Sequence, residues 1–423
     1  MISACSSIQT RTTADQSSER VSSEQGIINT FNPQGQLTLS DNIHSISLNR
    51  SGSLGSAPII ELTRDHQLEL FFETLGFDSR QFQITFSHHN PDWTTSGIPP
   101  EQFLTGFQSA NVSGGSMSRN TRTNYRQFRY RFPNSEIQFN KSGNYMIRVE
   151  DGDTGNLLFT APFFIKENIG SVTSSVDVIQ TPRQQLRTSH ISRTRYQITD
   201  RVEQPQFDLS FRMVQNQFWG RAVDPDETDF SSPDHVLFET SRAQSFIGDY
   251  EFRTLQFREI SQIEPQIYSV DFSESMPIIY LMDDAVGDNS SPFGSFGNQQ
   301  AGATQNLSAD YATVWFRLDH QQTTDEESEI YLVGDFNRWS IQNQNRLSYN
   351  SEIQRMETSV IIKPGNYRYK YVVLEDNRIN DLVFDDRFLN TVQEYHSFIY
   401  MRDLTRNYYR LLQTANFFNT SSD

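Results

Sequence analysis

Two short segments near the end of the chain carry side chains that could bind a sugar. The run IYLVGDFNRWS at 330–340 is typical of a strand that ends in a loop of aromatic and amide side chains. The run KPGNYRYKYVV at 363–373 is a Pro-Gly turn followed by a strand of alternating aromatic and basic residues. An exposed aromatic ring can stack on the apolar face of a pyranose, and an amide or ammonium can donate to its hydroxyl rim. The candidate residues for glycan contact or for docking are Phe336, Asn337, Trp339 and Lys370.

These two runs resemble the immunoglobulin-like early-set sandwich that serves as a glucan-binding module beside starch enzymes. In that resemblance Trp339 stands at one stacking position and Lys370 at a sugar-contacting position. The second stacking Trp should follow the later strand, but residues 374–383 contain no aromatic side chain before Phe384. The alternative is structural, with Phe336 and Trp339 closing the end of a β-sandwich. Half of the sugar platform is missing, which favours the structural role, and resemblance of fold says little about function.

No catalytic or metal-binding signature accompanies these segments. A calcium loop that began at Asp151 would need an oxygen ligand where the chain has Gly155. His88 and His89 are adjacent on a predicted strand, so they point to opposite faces and do not converge on one metal. The sequence also lacks the common nucleophile, zinc-protease and nucleotide-binding motifs. It therefore predicts a protein that is not an enzyme and that has no cofactor and no bound metal.

The charge and the apolar pattern of the chain exclude several classes of protein. The formal net charge is −17 over 423 residues, and binding to nucleic acid or to an anionic membrane surface requires clustered cations. No apolar run approaches the roughly eighteen residues of a transmembrane helix. Aromatic and β-branched runs, interrupted by Gly, Asn, Ser and Pro, predict an all-β protein.

A chain of this length corresponds to roughly three domains. We expect three immunoglobulin-like or early-set β-sandwich domains in series, after a Ser/Thr/Gln-rich leader that buries too little apolar surface to fold. The predicted order is a flexible leader at 1–38, an N-terminal sandwich at 39–168, a middle sandwich at 169–284, a linker or mobile loop at 285–308, a C-terminal early-set sandwich at 309–403, and a tail at 404–423.

The sole cysteine, Cys5, excludes an internal disulfide. The residues before it, Ile2-Ser3-Ala4, match the small-residue pattern that precedes the acylated Cys of bacterial lipoproteins, so Cys5 is a candidate lipidation site. The charged and apolar parts of a signal peptide are missing from this stretch. A chance cysteine in a disordered start is the alternative.

A series of segments, in order along the chain, resembles the periplasmic plug protein of the type IX secretion system, a Bacteroidetes-type family. The matching segments are APIIEL at 57–62, FQITFSH at 82–88 with Asp92-Trp93, QFLTGF at 102–107, the strand at 125–134, SGNYMIR at 142–148, GDFNRW at 334–339, RLSY at 346–349 and GNYRYKY at 365–371. The departures are few. Gln102 and Phe103 stand where the family has Glu and Tyr, and His89 stands where it often has Cys.

The resemblance implies a role in secretion and no reaction. A family member would be a non-enzymatic plug in the periplasm, at the inner face of the outer membrane. Its partners would be the outer-membrane translocon β-barrel and the associated secretion proteins, with a lipid anchor if Cys5 is acylated. Closure would be steric, and loop aromatics and Arg are the natural anchors. A surface glycan-binding lipoprotein that uses its C-terminal sandwich is the alternative from another class.

Overall fold

The computed structural model describes residues 30–77, 80–180, 188–248, 250–262, 264–286, 293–294, 302–320, 329–384 and 392–419. Their regular structure is nearly all β, with two four-residue helices, α1 (Pro100–Phe103) and α2 (Pro205–Asp208). The all-β prediction is confirmed. Within these ranges, no helix has the length and apolar character needed to cross a membrane.

The first pair of sheets is continuous in sequence. Its strands are β1 (Ile43–Arg50), β2 (Ile59–Glu61), β3 (Leu68–Leu75), β4 (Phe82–His89), β5 (Leu104–Gly106), β6 (Ser109–Val112), β7 (Ser116–Met117), β8 (Tyr125–Phe132), β9 (Ile137–Phe139), β10 (Gly143–Asp151) and β11 (Leu157–Lys166). One sheet has the order β1-β3-β8-β7, the other β2-β11-β10-β4-β6, and β5 pairs with β9. Alternate residues such as Phe82, Ile84 and Phe86 point into one shared core, as their period of two predicts.

The second pair of sheets begins directly afterwards. Its first strands are β12 (Ser171–Gln180), β13 (Thr188–Gln197), β14 (Leu209–Gln215), β15 (Glu227–Asp229), β16 (His235–Glu239) and β17 (Phe246–Ile247). The sheet β12-β13-β16-β15 also carries β17 beside β13. The second sheet consists of β14 and of two strands from the end of the chain.

The third pair of sheets is built from the middle of the chain. Its strands are β18 (Phe252–Phe257), β19 (Ile267–Asp271), β20 (Ile278–Leu281), β21 (Asp284–Ala285), β22 (Phe293–Gly294), β23 (Gly302–Ala303), β24 (Ala312–Asp319), β25 (Glu329–Gly334), β26 (Ser348–Asn350), β27 (Arg355–Ile362), β28 (Gly365–Glu375) and β29 (Arg378–Asn380). One sheet has the order β22-β18-β28-β23 with β25 and β29 also on β28, and the other has the order β19-β20-β24-β27-β26 with β21 on β24. Apolar side chains of both sheets form one core.

The chain then returns to the second pair through β30 (Glu394–Asp403) and β31 (Tyr408–Phe418). These strands complete the order β14-β30-β31, with Leu209 opposite Met401 and Gln215 opposite Tyr395. The third pair is therefore inserted between two segments of the second pair.

This insertion corrects the predicted boundaries after residue 168. The strands β18 and β20, expected in a middle sandwich at 169–284, pair with β28 and β24 of the third pair. The described part of the expected linker at 285–308 includes β22 and β23, which pair with β18 and β28. The expected tail from 404 contains β31, an eleven-residue strand of the second pair. The local pattern of apolar residues cannot show that strands so distant in sequence pair with each other. Alternation of apolar and polar residues indicates which side chains of a strand share a face, but it does not indicate which strand lies alongside.

The expected flexible leader also ends earlier than predicted. Residues 1–29, including Cys5, lie outside the described residues, so lipidation stays a prediction. Phe31 is fully buried. Leu37 exchanges hydrogen bonds with Thr160 of β11, donating to its hydroxyl over 2.7 Å and accepting from its backbone N–H over 3.0 Å. Residues 30–38 are therefore part of the folded structure.

Candidate functional site: the junction of the three sheet pairs

Trp339 lies in a buried cluster where the N-terminal segment meets the second and third pairs. The turn Asp335–Asn337 after β25 leads into Arg338 and Trp339, both with left-handed backbone (φ 57° and 59°). The Trp339 backbone N–H donates to the carbonyl of Gly334 over 2.9 Å, and its indole N–H donates to Asp335 over 3.2 Å. These contacts fix the direction in which the ring points.

The Trp339 ring is enclosed by three Phe rings from distant parts of the chain. Its centroid lies 5.4 Å from that of Phe31, 5.2 Å from Phe218 and 5.2 Å from Phe252. Only 8% of the residue is exposed. The ring therefore offers no face on which a sugar could stack, and it packs the junction as the structural alternative requires.

The two neighbouring candidates also make internal contacts. Asn337 accepts from the backbone N–H of Gly334 over 2.9 Å and donates to the carbonyl of Leu332 over 2.9 Å. The half-buried Phe336 packs against Phe316 of β24, with ring centroids 5.4 Å apart. Both side chains hold the loop after β25 on its own sheet pair.

Lys370 of β28 is also buried, with 2% of the residue exposed. Its ammonium donates to the carbonyl of Glu251 over 2.9 Å and lies 4.0 Å from the centre of the Tyr250 ring. Such a cation–π contact stabilises a cation that has lost its water. Lys370 is inaccessible to a glycan, and the structure brings it together with Trp339 only as part of the same buried cluster.

A carboxylate that the sequence analysis did not single out neutralises this cluster. Asp381 accepts from Tyr250 and, over 2.5 Å, from Arg221. Burial opposes the charged form of Asp381, but Arg221 and Lys370 outweigh it and hold the pKa of this carboxyl below its ordinary value. Asp381 therefore stays ionised and compensates the buried cations.

Arg221 also ties the N-terminal segment to the junction. Its guanidinium carbon lies 3.9 Å from the centre of the Phe31 ring. The side chain of Asn32 donates to the carbonyl of Arg338 over 2.8 Å, and the backbone N–H of Gly220 donates to the carbonyl of Phe31 over 3.1 Å. Residues 31 and 32 thus pack between the second and third pairs and contact both.

A second buried ion pair joins the first pair to the third. The Lys363 ammonium, before β28, donates to Glu73 of β3 over 2.5 Å, and both side chains are 0% exposed. Gln127 donates to the same carboxylate over 2.8 Å and Tyr311 over 2.5 Å. Burial lowers the pKa of Lys363, and burial together with Glu73 raises the pKa of Tyr311 well above its usual range. Tyr311 therefore remains a hydrogen-bond donor to Glu73.

The first and second pairs meet through a third set of contacts. Arg410 of β31 binds Glu167 with two hydrogen bonds, of 2.8 Å and 2.5 Å. The indole N–H of Trp93 donates to the carbonyl of Trp219 over 3.1 Å, and an apolar cluster from both pairs surrounds these groups. All three pairs are consequently joined to each other by buried polar contacts and aromatic packing.

This arrangement is suited to holding a shape. Among the described residues, no group of three or more His, Cys, Asp or Glu side chains is placed to hold a metal ion. Of the buried charges described above, Lys363 faces Glu73, Lys370 faces the Tyr250 ring and Asp381 faces Arg221. Composition gave no signal for Glu73, Arg221 or Asp381, because isolated charged residues in a sequence are usually solvent-exposed.

The first sheet pair is the part of the chain that matches a known family model. Residues 43–167 match the family model described as type 9 secretion system plug protein 1st domain. The chain therefore carries a plug protein first domain. The resemblance seen in the sequence is confirmed over this range, and it supports a role in the type IX secretion system. The resemblance of residues 309–403 to a glucan-binding module stays a prediction.

The fold of the whole chain is similar to that of a solved structure. A crystal structure of a hypothetical protein from Parabacteroides merdae ATCC 43184 superposes with a TM-score of 0.80 at 23% identity, covering 91% of this chain and 99% of that one. This likeness shows the fold alone. The C-terminal domain of the Streptococcus pyogenes antigen I/II-family protein AspA gives a TM-score of 0.14 at 7% identity, covering 88% and 99% of the two chains, and carries no argument. The comparison with curated proteins found no match.

Proposed function

We propose that the protein is a non-enzymatic plug that closes the periplasmic end of the outer-membrane translocon barrel of the type IX secretion system. The observation that carries this proposal is the match of residues 43–167 to the plug protein first domain. The partners are then the barrel and its associated secretion proteins, and the protein works in the periplasm at the inner face of the outer membrane.

The junction supports a steric mechanism. A plug must resist deformation when polypeptide or solvent presses on it, and a chain of loosely linked domains would bend at its linkers. Here the Glu73–Lys363 and Glu167–Arg410 pairs join different sheet pairs, and the Trp339 cluster fills the space where they meet. The three pairs can therefore act as one body against the barrel opening.

To close the barrel opening, the protein must bury enough surface against the barrel rim to form a stable interface. A stable and reversible protein interface buries roughly 1,200–2,000 Å². Large exposed aromatics are the natural anchors, because aromatic side chains dominate binding energy at such surfaces. The most exposed aromatic side chains of the described residues are Phe77, Phe107, Phe207 and Tyr268. We propose the surfaces that carry them, two loops, α2 and β19, as first candidates for contact with the rim.

Capture from solubilised outer membranes tests the proposal. We expect the tagged full chain, expressed in a cell that carries the secretion system, to retain the translocon barrel through detergent washes. A tagged periplasmic protein of similar size and charge serves as the control and should retain none. Recovery of no barrel protein with the full chain would sink the proposal.

A further inference from the structure

Arg338, in the loop after β25, is a half-buried cation that no carboxylate neutralises. Its guanidinium donates to the carbonyl of Thr160 over 2.7 Å and to the hydroxyl of Thr38 over 3.3 Å. The guanidinium carbon lies 5.9 Å from the centre of the Phe159 ring, at the outer limit of a cation–π contact. No carboxylate of the described residues forms an ion pair with it. Its charge is therefore compensated by neutral groups alone.

The other arginines at this junction are paired with carboxylates. The pairs are Arg221–Asp381, Arg368–Asp335 and Arg410–Glu167. For Arg338, burial lowers the pKa of the guanidinium to about 10, and no opposite charge counters this effect. The guanidinium is still protonated at neutral pH. A buried cation without an opposite charge is costly, so the fold would be stabilised by an anion at this position.

A cavity of about 190 Å³ lies beside this guanidinium, lined by the N-terminal segment and by all three sheet pairs. It is several times larger than the space that one water molecule requires. Its charged lining residues are Arg338, Arg368 and Asp335. Asp335 already accepts two hydrogen bonds of 2.9 Å from the Arg368 guanidinium. The lining therefore has one positive charge in excess.

The cavity offers a second donor, the side-chain amide of Gln36. This amide makes no hydrogen bond with the described residues, while the Gln36 backbone N–H donates to the carbonyl of Pro33 over 3.0 Å and fixes the residue at the cavity. A guanidinium and an amide together suit an anion with several oxygens. The volume is below the roughly 300–1,000 Å³ of sites for larger organic ligands. The chemistry and the size of the cavity therefore fit a small inorganic oxyanion.

We propose that this cavity binds one tetrahedral oxyanion, phosphate or sulfate, between the Arg338 guanidinium and the Gln36 amide. The ion balances the charge of Arg338 and joins the N-terminal segment to the third sheet pair. The chain has a net charge of −17, so the rest of its surface disfavours anions and binding is confined to this site. The site is additional to the plug role and does not depend on it.

Inorganic phosphate is the probe that tests this site. We expect calorimetric titration of the full chain at neutral pH to show saturable uptake of one phosphate per chain. The unfolding midpoint should rise in parallel with this uptake, because a ligand that binds only the folded state stabilises it. Sulfate should act in the same way, whereas chloride at the same ionic strength should neither bind nor shift the midpoint.

Three variants locate the site. Arg338→Gln should weaken phosphate binding at least about tenfold, because it removes a hydrogen bond between charged groups. Gln36→Ala should weaken binding about two- to tenfold, since the lost hydrogen bond has a neutral donor. The matched control Arg346→Gln replaces a guanidinium that is 53% exposed and paired with Glu329, and it should leave binding unchanged. Cooperative unfolding without phosphate shows that each variant folds, and Gln36→Ala decides the test if Arg338→Gln does not fold.

Four results would overturn the proposal. The first is the absence of saturable phosphate binding to the wild type. The second is a midpoint that rises with phosphate to the same extent in Arg338→Gln, which is the general effect of a salt excluded from protein surfaces. The third is equal weakening of binding in Arg338→Gln and Arg346→Gln, and the fourth is unchanged binding in Gln36→Ala.

Discussion

Lys363→Met is expected to lower the free energy of unfolding by about 3–5 kcal/mol, because it leaves the carboxylate of Glu73 buried without its cation. The two side chains have no exposed surface and lie 2.5 Å apart, between the first and third sheet pairs. Gln127 and Tyr311 continue to donate to Glu73 in the variant, but neither carries a charge. Denaturant unfolding followed by intrinsic fluorescence measures the change.

Two controls separate the buried pair from a general effect of mutation. The double variant Lys363→Met with Glu73→Gln removes both charges and should recover most of the loss, since replacing a whole buried pair is often close to neutral. Arg346→Met removes the partner of Glu329 in a pair whose side chains are 53% and 35% exposed, and it should cost less than about 1 kcal/mol. A single variant as stable as Arg346→Met, or a double variant no better than the single one, contradicts the interpretation.

Trp339→Ala is expected to cost about 3–5 kcal/mol, because it opens a cavity among three Phe rings and removes an aromatic side chain from the core. Phe31 belongs to the N-terminal segment, Phe218 to the turn that follows β14, and Phe252 to β18. The packing of these three rings against each other depends on the Trp339 ring between them. Protease should then cut the chain near Phe31 faster than in the wild type. Denaturant unfolding and timed digestion measure the two effects.

Two other Trp variants and a glucan test complete this prediction. Trp339→Phe keeps most of the ring volume and should cost clearly less than the change to Ala. Trp315→Ala removes a half-buried ring at a position outside this cluster, where less packing is lost. Affinity electrophoresis in soluble starch should show no retardation of the wild type. Retardation that disappears in Trp339→Ala would restore the glycan-binding interpretation and contradict the buried role.

The burial of strand β28 was predicted from the sequence for one of its faces and not for the other. Its alternation predicted an inward face, and Tyr367, Tyr369 and Tyr371 do lie in the core of the third pair. Its other face carries Lys370, which the sequence analysis placed at a sugar-contacting position. That face is buried as well, since Val372 packs with Trp339 and the second pair covers them. Period-two patterns cannot show that both faces of a strand are covered, because they report only the contrast between neighbours.

The order of the strands in the second sheet pair could not be predicted from the sequence, for a related reason. The strands of the first sheet pair follow one another within 43–166, so local patterns grouped them together. β14 and β30 are separated by the whole of the third pair, yet they are direct neighbours in one sheet. An insertion of this kind is fixed by which exposed edges find one another during folding, and no single segment encodes it. The secretion role came instead from the order of motifs across the chain.

Conductance of the isolated translocon barrel in a planar lipid bilayer tests the plug role most directly. We expect the barrel, purified without this protein, to show large open-channel currents that fall when the full chain is added to the periplasmic side. Addition to the opposite side should have no effect, because the closure is steric and specific to one end. Currents that are unchanged by saturating protein on the periplasmic side would contradict the account.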